Sequence, residues 1–203
     1  MKLYTSIGPN PLVVTLFAAE RGVELELEKV DLRGGENRQE AYMKINPFAQ
    51  MPALVLEDGS LLTEITVICE YLDEISEGDS LIGTNAEGRA DTRRWVRWVD
   101  LNVNEPLTNG FRFSEGLPLF KDRMRCIPEA ADGLKACAQD KMAFLDEQMD
   151  GKDYIVGDRF TLADILLYAF LSFGAQVGQA INPDFKNLIA WYERMSARPK
   201  MKG

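Results

Sequence analysis

The stretch "INPFAQMPALVLEDG", Ile45 to Gly59, holds a proline directly before a short apolar run and a turn pair directly after it. With "SLLT" following, two apolar runs flank Asp58-Gly59, the signature of a β-hairpin. Pro52 has two readings. It is an ordinary proline at the first position of a strand, where no ladder N–H is needed. Or the Met51–Pro52 bond is cis, which turns the chain and leaves the Met51 N–H and C=O as an edge on which a peptide-like ligand can pair.

Working outward from the hairpin, "KLYT" reads as a strand and "PLVVTLFAAERG" as a helix with Val14, Phe17 and Ala18 inward and Gly22 as its stop. "ELELEKVDL" alternates, which predicts a strand with Leu25, Leu27 and Val30 on an inner face, and "NRQEAYMKIN" predicts a short helix. After the hairpin, "EITVICEYLDEIS" places Ile65, Ile68, Cys69, Leu72 and Ile75 on one helical stripe. The order is βαβα, then ββα.

From about Glu87 the strand signals stop. "RADTRRWVRWVDLNVN" is helical until Pro106 breaks or kinks it. "DGLKACAQDKMAFLDEQMD", "TLADILLYAFLSFGAQVG" and "NLIAWYERMSARP" predict three further helices, the second apolar enough to be the centre of a helical domain. "SEGDSLIGTNAEG" is polar and glycine-containing, as a linker is. The expected division is a small α/β domain over 1–78, a linker over 79–86 and an all-helical domain over 87–203.

The 203 residues suffice for two such cores. Formal net charge is −9 and the pI near 4.7, which argues against nucleic acid as a partner even though "RRWVR" forms a local basic cluster. No run of about 18 apolar residues suggests a membrane span, and "MKLYTSIGPN" lacks the apolar core of a signal peptide. The expected location is the cytoplasm. Cys69, Cys126 and Cys137 form no CxxC pair, so a disulfide framework or a redox protein using its own cysteines is not expected. There is no histidine, which removes imidazole acid–base chemistry, Ser-His and Cys-His pairs and His-based metal sites. No metal is expected. Catalysis must use hydroxyls, amides, carboxylates, backbone groups or a thiol brought by the substrate.

Two residues invite that last possibility. Asn10, in "TSIGPNPLVV", either caps a helix whose first residue is Pro11, or turns its amide to a ligand. Glu64, in "LLTEIT", stands where strand passes to helix. It either favours the helix dipole or, beside the free N–H groups of the helix start, receives an α-amino acid head.

"NPFAQMPALVLEDG", "LLTEITVICEYLDE" and "VGDRFTLADILLYAFL" together resemble the cytosolic glutathione transferases, and the resemblance spans essentially the whole chain. It implies a thioredoxin-like domain followed by an all-helical C-terminal domain. Thr161 to Asp164 is a Thr-x-x-Asp capping box that this family carries, with Phe160 placed as a hydrophobic staple. The box supports the fold, not the chemistry.

The resemblance implies glutathione as co-substrate. Met51, before the cis residue Pro52, would pair with the cysteinyl backbone, and Gln50 would touch the ligand's backbone. Glu64 would take the γ-glutamyl head. The family's serine after this acid is Ile65 here, which leaves a backbone N–H but no hydroxyl; Thr66 offers one a position later. The thiol activator varies by class, and "GPNPLVVTLF" with "VDLRGGENRQEAY" looks most like the bacterial asparagine/threonine (nu-like) group, which assigns Asn10. The companion threonine falls near Gly8, so that partner is missing; Ser6 and Thr5 are hydroxyl candidates where the loop turns them inward. Asn102, Phe111 and Phe113 would meet a small hydrophobic electrophile between the domains. The implied activity is glutathione S-transferase, extending to disulfide reductase or peroxidase chemistry, in a homodimer serving detoxification. The alternative is a non-catalytic, glutathione-transferase-like interaction protein, motivated by Ile65.

Overall fold

The computed structural model describes residues 1–201. The chain divides into two compact units, one over Met1–Ser80 and one from Leu81 onward.

The first unit runs β1 (Lys2–Thr5), α1 (Pro9–Arg21), β2 (Glu26–Lys29), α2 (Glu40–Met43), β3 (Ala53–Val55), β4 (Leu61–Leu62) and α3 (Ile65–Glu74). The sheet order is β2-β1-β3-β4, with β1 and β2 parallel and the remaining pairs antiparallel. Parallel neighbours need a crossover, and α1 supplies it. Gly22, at φ 70°, ends that helix, and its N–H returns to the Ala18 and Ala19 carbonyls. Leu3, Val13, Val14, Phe17, Leu54, Ile68, Cys69 and Leu72 are fully buried and form the core.

Two inward expectations fail here. Leu27 is 53% exposed although it shares a rung with buried Leu3. The reason is that β2 is an outer strand, paired with β1 alone. Ile75 is 49% exposed because α3 ends at Glu74, so the stripe runs out one residue early.

The second unit holds α4 (Ala86–Val99), α5 (Glu105–Arg112), α6 (Leu117–Phe120), α7 (Ala131–Gln148), α8 (Leu162–Gln176) and α9 (Lys186–Ala197). Pro106 does not break the helix. A π-helical turn over Asp100–Asn104 precedes α5, and the Glu105 N–H reaches back to the Asp100 carbonyl. Pro106 then sits in the first turn of α5, where its missing N–H costs little.

The capping box forms as the sequence implies. Thr161 Oγ1 accepts from the Ala163 N–H at 3.3 Å, and the Thr161 N–H donates to Asp164 Oδ2 at 2.9 Å. Phe160 packs on Tyr154 and under the Arg198 guanidinium, 3.6 Å from the ring centre. Every residue of α8 from Leu162 to Leu171 is buried, as an all-round apolar helix must be. Among the described residues no helix is long and apolar enough to cross a membrane.

Candidate functional site

An open cleft lies in the first unit, lined by Asn10, Asn46, Phe48, Gln50, Met51, Pro52, Thr63, Glu64 and Ile65. Three elements converge on it: the start of α1, the segment leading into β3, and the start of α3.

The start of α1 bears on the capping reading of Asn10. The helix begins at Pro9, Gly8 occupies the cap position at φ 116°, and no side chain caps it. Asn10 is therefore the second residue of the helix, not its cap, and it lines the cleft. Its neighbours Pro9 and Pro11 carry no N–H. Of the first three helical residues only Asn10 offers a backbone donor at the positive end of the dipole.

At the second element the Met51–Pro52 bond is cis. Met51 lies beyond the last rung of the ladder between β1 and β3, which joins Tyr4 to Ala53. At the third, Glu64 has φ 67° and ψ 117°, a backbone conformation uncommon for a residue with a side chain. Its carboxylate is exposed and does not cap α3. The Glu64 carbonyl accepts from the Ile68 N–H at 2.9 Å. The earlier N–H groups, of Ile65, Thr66 and Val67, have no partner within the helix. The rim thus presents an acid and amide donors side by side, a match for a zwitterionic amino-acid head.

Of the residues the sequence singled out, Asn10, Gln50, Met51, Pro52, Glu64 and Ile65 meet in this cleft, and Thr66 and Ser6 do not line it. The Ser6 hydroxyl donates to the Val30 carbonyl at 2.7 Å, so its one hydrogen ties β1 to the end of β2. Asn102, Phe111 and Phe113 lie in the second unit. The Asn102 amide donates to the Trp98 carbonyl at 2.9 Å. Phe111 stands edge-on to Phe120 and Phe173, and Phe113 is a core residue at 8% exposure.

The sequence reading missed Asn46, Phe48 and Thr63. Asn46 had a signal: an asparagine before Pro47 favours a side-chain turn, and its Oδ1 does accept the Phe48 N–H at 3.0 Å. Phe48 is 67% exposed at the rim, which no apolar pattern predicts.

None of the three cysteines, all free, lines the cleft. Burial pushes the Cys69 thiol well above its ordinary range, with Asp73 and Glu70 adding to the shift, so it stays protonated and inert. Among the described residues no cluster of three metal-ligating side chains occurs.

Residues 7–75 match the glutathione S-transferase N-terminal domain and residues 129–199 the glutathione S-transferase C-terminal domain. Protein LigF of Sphingobium sp. is 33% identical, covering 100% of this chain and 91% of that one. Glutathione S-transferase GstA of Escherichia coli O157:H7 is 29% identical, covering 100% and 96%. A solved glutathione S-transferase domain-containing protein of Marinobacter aquaeolei superposes with a TM-score of 0.93 at 33% identity over 100% of both chains. The solved beta-etherase LigF superposes with a TM-score of 0.84 at 30% identity, over 99% of this chain and 96% of that one.

The chain belongs to the glutathione S-transferase family. It is a glutathione-dependent transferase, with glutathione as its co-substrate.

Proposed function

We propose that this chain binds glutathione in the cleft of its first unit and activates the thiol by electrostatic stabilisation. The observation that carries the reading is the meeting of Asn10, Met51 and Glu64 on one cleft wall system. The backbone of Met51 pairs with the cysteinyl residue. Glu64 receives the γ-glutamyl ammonium, and the N–H groups at the start of α3 receive its carboxylate. Gln50 lies along the ligand backbone. A free thiol has a pKa near 8.5. The Asn10 amide donates to sulfur at a positive helix end, and both terms favour the thiolate. Asn10 cannot accept the proton, which leaves through water or a glutathione carboxylate.

The thiolate attacks a small hydrophobic electrophile. A C–S bond forms and the leaving group departs with the electron pair. With a disulfide as acceptor, an S–S bond forms and the displaced sulfur leaves as thiolate. The similarity to LigF, solved as a beta-etherase, favours a second reading within this chemistry. In it the bond broken is C–O, and the leaving oxygen takes a proton from water. Asn10 supports a reading nearest to the asparagine/threonine (nu-like) group, and a cytoplasmic homodimer is the expected form.

Calorimetric titration with reduced glutathione tests the reading, paired with the ultraviolet thiolate absorption of the complex against pH. Saturable binding with a depressed thiol pKa is expected. A wild-type protein that does not bind glutathione defeats it and turns attention to protein partners.

A further inference from the structure

The segment before Pro52 is gripped from behind. Tyr42 Oη donates to the Gln50 carbonyl at 2.7 Å, and Asn46 Nδ2 donates to the same carbonyl at 2.8 Å. One residue earlier, Asn37 Nδ2 donates to the Ala49 carbonyl at 2.7 Å, and Ala49 holds a left-handed φ of 54°. Tyr42, Asn46 and Asn37 are all buried, at 4%, 1% and 5% exposure. A buried side chain held by packing keeps its donor in place, and the Tyr42 ring is held edge-on by Tyr4.

The Gln50 carbonyl and the Met51 N–H belong to one planar peptide unit. Two donors on the oxygen fix the plane, and so fix the direction of the N–H on its other side. Donation to the carbonyl also polarises the unit and strengthens that N–H as a donor.

We infer that Tyr42 and Asn46 are positioning residues for glutathione: by clamping the Gln50 carbonyl they aim the Met51 backbone at the ligand's cysteinyl unit. Asn37 supports the clamp by fixing the residue before it. The inference rests on the glutathione reading of the cleft and names residues outside the set that touches the ligand's reacting atoms.

The test is steady-state kinetics and calorimetric glutathione binding for wild type, Tyr42→Phe and Asn46→Asp. Tyr42→Phe removes one hydroxyl and leaves the ring packing. It is expected to raise the KM and Kd for glutathione about two- to tenfold, the range of one neutral hydrogen bond. The kcat at saturating glutathione and the KM for the electrophile stay as in wild type. A merely structural role gives the opposite split: fewer active molecules, lower apparent kcat and an unchanged KM.

Asn46→Asp keeps the acceptor for the Phe48 N–H but turns a carboxylate toward the Gln50 carbonyl. Its glutathione affinity falls further than that of Tyr42→Phe at pH 8. It recovers toward wild type as acid restores an O–H donor. Wild-type glutathione constants in folded Tyr42→Phe overturn the clamp and leave the glutathione reading standing. No glutathione binding by the wild-type protein overturns both.

Discussion

The indole N–H of Trp191 donates to Asp164 Oδ1 at 2.9 Å, so a residue of α9 completes the capping box of α8. Asp164 also accepts from the N–H groups of Ile155 and Thr161 and from the Thr161 hydroxyl, and it is fully buried. Burial outweighs the four donors and pushes its carboxyl up to about 6 from an ordinary 3.8. A carboxyl raised on folding binds its proton more tightly in the native state. Stability from this group is therefore complete below pH 3.8 and declines as pH rises through about 6. The whole decline is about 3 kcal/mol, roughly half of it above pH 5. Urea unfolding followed by tryptophan fluorescence, for wild type minus Asp164→Ala, is expected to show it. Asp164→Ala itself loses about 3 kcal/mol or more at pH 5, since it orphans buried donors. A flat difference between pH 5 and 7.5 defeats the assignment.

Asn10 is the one side chain of the α1 start that carries a donor into the cleft. If it holds the glutathione thiolate, Asn10→Ala removes a hydrogen bond to a charged atom, worth about 1.5–3 kcal/mol. The bound thiol pKa then rises by about one to two units, and turnover at pH 7 falls by a similar factor of ten or more. Glutathione affinity at low pH, where the thiol is neutral, is retained. An unchanged thiol pKa in this variant moves the activator elsewhere.

Ile65 supplies the reverse experiment. It lines the cleft at the first position of α3, where a serine would offer an O–H beside its own N–H. Ile65→Ser is half-buried and leaves the core residues Ile68, Cys69 and Leu72 untouched. A new hydrogen bond to the γ-glutamyl carboxylate tightens glutathione about tenfold or somewhat more. Glu64→Ala weakens it, because the ammonium loses its counter-charge. Equal affinities for all three proteins place the γ-glutamyl head away from α3.

Most of the fold was legible because its signals are local. The Asp58-Gly59 turn, the Gly22 stop and the Thr161–Asp164 box each depend on a few adjacent residues, and all three form. What failed depends on position in the assembled sheet or helix. Leu27 has the right alternation, but alternation does not tell an edge strand from a central one. Pro106 has the chemistry of a breaker, and in the structure the helix passes through a π turn into α5 without stopping at it. At the site, the cleft-lining residues Met51-Pro52, Glu64 and Asn10 left marks in the sequence. The hydrogen-bond donors behind them did not. Tyr42 lies eight residues from Gln50 and reads as an ordinary core aromatic until its hydroxyl is seen on that carbonyl.

Arg21 and Asp73 give the last prediction, on stability rather than on the ligand. Arg21 Nε lies 3.0 Å from Asp73 Oδ1, an ion pair off the line of a hydrogen bond, with both side chains 6% exposed. The guanidinium also reaches the carbonyls of Ser76, Glu77 and Asp79 beyond the end of α3, so it ties the end of α1 to the last turn of the unit. Removing one partner leaves the other charge buried. Asp73→Ala is expected to cost about 3–5 kcal/mol in urea unfolding. Arg21→Met with Asp73→Leu recovers part of that loss, because no unpaired charge remains. Neither residue lines the cleft, so the KM for glutathione in the folded single variant stays at the wild-type value. A raised KM in Asp73→Ala would mean that the end of α3 is coupled to its start, and the two halves of that helix would no longer separate into stability and binding.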